Sequence, residues 1–86
     1  TPVVRLNRAV AIGMAYGPQE ALELVDGLRD EPTLRAYHLL PSVRGDLLFK
    51  LDRRTEARAE FERAASLAHN ARDRHYLLER AAACRF

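Results

Sequence analysis

The chain has 86 residues with 30% charged, 48% apolar and no Trp. That is room for one small domain with an ordinary core, and it excludes a disordered or disulfide-stapled chain, since the lone Cys84 has no second cysteine to pair with. Fourteen basic and twelve acidic residues leave a formal charge of +2. The two signs are interspersed, as in Arg53-Arg54-Thr55-Glu56-Ala57-Arg58-Ala59-Glu60. Such mixing marks a solvated helix face with i,i+4 pairs, whereas a nucleic-acid binder shows unpaired basic clusters. Thirteen of the fourteen basic residues are Arg, a skew that points to a GC-rich coding sequence.

Taken in chain order, the pattern predicts five helices and no strand. Thr1-Pro2 is a helix start, with Thr as cap and Pro at the first helical position. Val3, Leu6, Val10 and Met14 follow at helical spacing. Tyr16-Gly17-Pro18 breaks this helix and opens the next, which carries Ala21, Leu22, Leu24, Val25 and Leu28 and ends near Arg29. Asp30 to Thr33 is read as a loop with a cap at Thr33. A third helix is expected from about Leu34 to Leu51, kinked where Pro41 removes a backbone donor. The alternative is a break around Leu40-Pro41.

Asp52-Arg53-Arg54 reads as a tight turn, with Thr55 as a cap. The fourth helix carries Ala57, Phe61, Ala64, Ala65 and Ala68 and is expected to end at Asn70, a residue that tolerates the left-handed conformation. A fifth runs from about Ala71, with Leu77, Ala81 and Cys84 as its stripe, widened by Tyr76 and Leu78. The longest apolar runs are a few residues, far short of the roughly 20 that span a bilayer. No secretory leader pattern opens the chain, so a cytoplasmic location is expected.

Shifted by 36 residues, the sequence partly matches itself. Arg8 falls on Arg44, Ala9 on Gly45, Ile12 on Leu48, Glu20 on Glu56, Ala21 on Ala57 and Val25 on Phe61. The repeated unit is a helical hairpin. In the second copy Gly45, Leu48, Ala57, Phe61 and Ala64 keep the tetratricopeptide spacing, in which small residues allow close helix approach and Phe61 fills the gap between hairpins. Arg8 and Arg44 stand where that signature has Leu, and His69 where it has Pro. The expected fold is all-α and tetratricopeptide-like. Hairpin one covers about 2–29, hairpin two about 33–69, and a capping helix about 71–85.

No catalytic constellation emerges. Nine residues separate His75 and Cys84, which places them on opposite helix faces at roughly 100° per residue. His38, His69 and His75 have no ligand-like spacing, and no glycine-rich phosphate loop is present. The chain is therefore expected to be no enzyme, with no cofactor or metal. Arg8 and Arg44 sit at interior positions, each with an acid twelve residues on, Glu20 and Glu56. These predict a repeated ion pair within each hairpin. The sharper alternative has both arginines binding a ligand in the groove. Tetratricopeptide geometry lines the concave face with the first helix of each hairpin, which makes Leu6, Asn7, Val10, Met14, Ser42, Asp46, Phe49 and Lys50 candidate contacts. Tyr37 and His38, ahead of Pro41, form a second candidate patch. A groove of this kind suits an apolar helix better than an acidic tail.

Two segments, Pro2-Val3-Val4-Arg5-Leu6-Asn7-Arg8-Ala9-Val10-Ala11 and Tyr37-His38-Leu39-Leu40-Pro41-Ser42-Val43-Arg44-Gly45-Asp46-Leu47-Leu48, resemble the C-terminal tetratricopeptide-like extension of bacterial extracytoplasmic-function (sigma-24-like) sigma factors. Leu51-Asp52-Arg53-Arg54-Thr55-Glu56-Ala57 is similar to that extension's Leu-Gly-Arg turn, with Asp52 in place of Gly, and Ala64 to Glu79 is similar too. The resemblance covers essentially the whole chain. It implies a regulatory domain that acts by protein contacts with the sigma domains, RNA polymerase or a YCII-related protein, with DNA reached only through sigma domains this chain lacks. Two other readings stay open. The basic last helix, with Arg72, Arg74, His75, Arg80 and Arg85, could touch phosphates, and the groove could hold a small ligand.

Overall fold

A computed structural model describes residues 1–85. The described residues fold into five α-helices: α1 (Pro2–Tyr16), α2 (Pro18–Asp26), α3 (Leu39–Lys50), α4 (Arg54–Leu67) and α5 (Ala71–Ala82). A single 3₁₀ turn, Pro32–Leu34, lies between α2 and α3. There is no strand among the described residues. α1 and α2 form one hairpin and α3 and α4 a second. α2 packs on α3, and α5 packs on α4 as a closing helix. The Cα radius of gyration is 12.1 Å, matching the roughly 12 Å of a compact chain this long.

The helix starts follow the local chemistry of the sequence. The Thr1 hydroxyl accepts from the Val4 N–H at 3.3 Å, and Pro2 takes the first helical position, where a missing N–H costs nothing. Gly17 links α1 to α2 at φ 105°, a conformation that only glycine adopts readily, and Pro18 starts α2. Asn70 does not end α4 in a left-handed conformation. It is extended, with φ −134°, and caps α5: its side-chain oxygen accepts from the Asp73 N–H at 2.8 Å, and its amide donates to the Asp73 carboxylate at 3.0 Å. Thr55 is no cap either, since α4 already begins at Arg54.

The turn between α3 and α4 has a defined form. The Arg53 N–H donates to the Leu48 carbonyl at 2.9 Å and the Asp52 N–H to the Phe49 carbonyl at 3.0 Å. This pair of bonds is the Schellman closure, whose left-handed residue is usually Gly. Asp52 fills that role at φ 60°. The departure from the Leu-Gly-Arg pattern keeps the turn's bonds and places a β-carbon in a region where L-residues are strained.

The third helix is shorter than expected and has no interior proline. α3 starts at Leu39, so Pro41 stands third in its first turn, where N–H groups have no intrahelical acceptor. No bond is lost there, and the expected kink has no cause. Successive turns run upstream: Leu34 N–H to the Glu31 carbonyl, Tyr37 N–H to Leu34 and Leu40 N–H to Tyr37. They bury Leu34 completely as a plug between the hairpins. α2 likewise ends at Asp26, before the expected Arg29, and passes into turns.

The core is built around Phe61, Leu22, Val25, Leu28, Leu34 and Leu48, while Leu24 of the stripe expected for α2 and Tyr76 and Leu78 of that expected for α5 are exposed. α1 is divided as well. Leu6 (2% exposed) and Ala9 face the core, while Val3, Val10 and Met14 face solvent. Gly45 lies directly under Phe61: a β-carbon built on it would sit 3.0–3.1 Å from three ring atoms. The close approach expected at Gly45 is therefore filled by Phe61 of the same hairpin, although Phe61 was expected in the gap between hairpins.

Candidate functional site

α1, α3 and α5 converge on one face and enclose a groove of about 280 Å³. α1 contributes Val10, Gly13 and Met14; α3 contributes Ser42, Asp46 and Lys50; α5 contributes Tyr76 and Arg80. Among the expected contacts the groove gathers Val10, Met14, Ser42, Asp46 and Lys50. Leu6 is excluded, because it packs in the core. Asn7 is exposed on α1 and does not line the groove. Phe49 does not line the groove either; its ring carries the guanidinium groups of Arg54 and Arg80 at 5.1 and 5.7 Å from its centroid.

Arg80 organises the floor, and the charge pattern of α5 alone did not reveal it. One of its nitrogens donates to Asp46 Oδ1 at 2.9 Å and another to the Tyr76 hydroxyl at 3.0 Å. Its guanidinium lies 4.8 Å from the Phe61 centroid, a cation–π distance. Lys50 Nζ reaches the second Asp46 oxygen at 3.0 Å. Burial pushes the Asp46 carboxyl up, but the hydrogen bonds from Arg80 and Lys50 outweigh it and hold the group below the usual carboxylate range. Each charged group in the groove thus has a partner, with Lys50 and Arg80 sharing the one carboxylate. What it offers a partner is apolar: Met14 is 85% exposed and Tyr76 52%.

Tyr37 and His38 lie apart from this groove. Their rings stack edge-on at 6.0 Å, and His38 stacks in the same way on His69 at 6.5 Å. The His38 ring nitrogen stands 4.0 Å from Asp73, so this patch ties the start of α3 to the α4–α5 junction.

The expected ion pairs form differently. Arg44 does not meet Glu56. Its Nε donates to Asp26 at 2.8 Å and its Nη1 stands 3.4 Å from Glu60. The reason is antiparallel geometry. Arg44 lies eight residues before the turn residue Asp52 and Glu60 eight after it, so these two face each other across the hairpin. Glu56 lies too close to the turn and takes a two-bond pair with Arg53 at 2.9 and 2.8 Å. Arg8 is exposed and makes no ion pair with Glu20 among the described residues. Arg44, only 8% exposed, thus holds hairpin to hairpin through Asp26. It forms the floor of a second, polar cavity of about 550 Å³ whose wall includes Arg29, Arg35 and Arg63.

The described residues contain no cluster of three or more His, Cys, Asp or Glu placed to hold a metal. His75 is engaged by Glu79 at 2.7 Å. The Cys84 thiol is buried, donates to the Arg80 carbonyl at 3.4 Å and is pushed up by desolvation. No helix among these residues is long and apolar enough to cross a membrane.

No family model matches the chain, and no solved structure matches it. An uncharacterized protein of Rhizobium meliloti (strain 1021) is 44% identical over 77 residues. The match covers 90% of this chain and 18% of that protein, so the chain spans less than a fifth of its relative's length.

Proposed function

We propose that this chain is a protein-interaction and regulatory domain, the C-terminal extension of an extracytoplasmic-function sigma factor. In that role it modulates transcription initiation by contacting the sigma domains, RNA polymerase or a YCII-related partner. It acts in the cytoplasm and performs no catalysis of its own. The observation that carries the reading is the groove between α1, α3 and α5. It holds Lys50 and Arg80 on the one carboxylate of Asp46 and presents Met14 and Tyr76 to solvent. A concave apolar surface with satisfied polar groups is suited to a protein partner. The motif resemblance over the whole chain supplies the sigma-factor context, and a much longer relative is in keeping with a domain that works as part of a larger protein.

The nucleic-acid reading has less support. Arg80 is turned inward onto Asp46, and His75 is engaged by Glu79, which thins the basic face of α5. The test is co-purification of the chain with the sigma domains, with core polymerase and with a YCII-related protein encoded in the same genome. Retention with any of them supports the reading; retention with none refutes it.

A further inference from the structure

α1 has two apolar faces, and the fold uses one. Leu6 and Ala9 are buried. On the other side Val3, Asn7, Val10 and Met14 succeed one another at spacings of four, three and four residues, flanked by Val4 and Ala11. All six are exposed. At about 100° per residue they fall within roughly 120° of arc, and twelve residues at 1.5 Å each make a seam about 17 Å long. Spacing of this kind is the a/d seam of a helix that packs against another helix. An exposed apolar face of this extent marks an interaction site, and among the described residues nothing covers it.

The charges around the seam indicate the neighbour. α1 contains Arg5 and Arg8 and no acidic residue. Neither arginine has a carboxylate within ion-pairing distance among the described residues. On the opposite margin Lys50 and Arg80 share the single carboxylate of Asp46, leaving a surplus positive charge. Both margins are thus net positive. We infer that this seam is the docking surface for an amphipathic helix of a partner protein whose apolar stripe is bordered by Asp or Glu. The inference rests on the reading of the chain as a protein-interaction domain and adds the chemistry of what it binds. A second copy of the chain fits poorly. Antiparallel pairing of two α1 helices sets the Asn7 amide against Val10, a buried polar group without a partner, and either direction brings arginines toward a helix that holds no acid.

The test uses two labelled synthetic helical peptides of about three heptads each, with identical Leu seams. One carries Glu at the flanking positions and the other Lys, and both are titrated by fluorescence anisotropy at low and high salt. The Glu peptide is expected to bind at least ~10-fold tighter than the Lys peptide, with a preference that shrinks as salt rises. Met14→Asp, a change at an exposed position, should weaken Glu-peptide binding ~10-fold, with Ala11→Asp as a second probe if that variant is unstable. The double change Arg5→Glu and Arg8→Glu should reverse the preference. Equal affinity for both peptides, no binding of either, or indifference to both seam variants overturns the inference. So does a dimer in sedimentation equilibrium that Met14→Asp dissociates. Retention of sigma domains or polymerase by the Met14→Asp protein would leave the regulatory reading standing and remove this surface from it.

Discussion

Replacing Gly45 with Ala tests whether the repeat's small residue is a steric requirement or only tolerated. Gly to Ala in a helix interior is worth about 1 kcal/mol of added stability on propensity alone. At Gly45 the added β-carbon would stand 3.0 Å from Phe61 Cε1 and 3.1 Å from two more ring atoms. Favourable carbon contacts lie near 3.5–4.0 Å, so about half an ångström must be recovered. The ring cannot yield easily: Phe61 is buried, and the Arg80 guanidinium stacks on it at 4.8 Å. Overpacking of this kind costs about 1–3 kcal/mol. The net expectation is a loss of about 1 kcal/mol, seen as a fall in Tm of roughly 4–8 °C for a domain of this size. Gly27→Ala is the control. Gly27 has helical angles of −67° and −15°, and its nearest new contact is a carbonyl at 3.4 Å, so this change should gain about 0.5–1 kcal/mol. Thermal and urea unfolding of both variants decide the matter. If Gly45→Ala raises Tm as much as Gly27→Ala, the steric argument is wrong. Combining Gly45→Ala with Phe61→Leu should cost less than the sum of the two single changes, because they share one contact.

Asp52→Gly should stabilise the chain by about 1 kcal/mol in urea unfolding, since it relieves a left-handed β-carbon and gives up only an exposed pair with Arg54. Arg44→Ala should cost about 1–3 kcal/mol, discounted from a fully buried pair because Asp26 is half-exposed, whereas Arg8→Ala should stay within about 0.5 kcal/mol. Calorimetry of both variants separates the latch from its unpaired counterpart in the repeat. The depressed Asp46 group contributes stability that is present above its unfolded pKa of about 3.9 and is lost as pH falls through the folded value. Asp46→Asn should therefore lower Tm at pH 6, and the gap to the unaltered chain should close as the pH falls below 4.

Some of these features were legible because they depend on neighbours a few residues away. Thr1-Pro2, Gly17-Pro18 and the stripes of α2, α4 and α5 specify their own helices. Pro41 misled because a proline in a first turn and a proline in a helix interior look alike until the helix start is known. α1 differs in another way: Leu6 shares the spacing of Val10 and Met14 and reads as a groove residue with them, but it turns to the core beside Ala9. Periodicity identifies an apolar face without saying what covers it. The groove was half legible, through Val10, Met14, Ser42, Asp46 and Lys50. Its other half comes from α5, and no local signal distinguishes Arg80 from the solvated arginines around it.

The sequence by itself determined an all-helical chain, the two hairpins and Gly45 as a position of close helix approach, because helix periodicity and repeat spacing are local and additive. Only the tertiary structure decided which acids Arg44 meets, which face of α1 stays open and how Arg80 closes the groove floor. Those outcomes depend on the distance of each residue from its hairpin turn and on the angle at which α5 crosses α3 and α4. A linear spacing such as the twelve residues from Arg44 to Glu56 does not encode them.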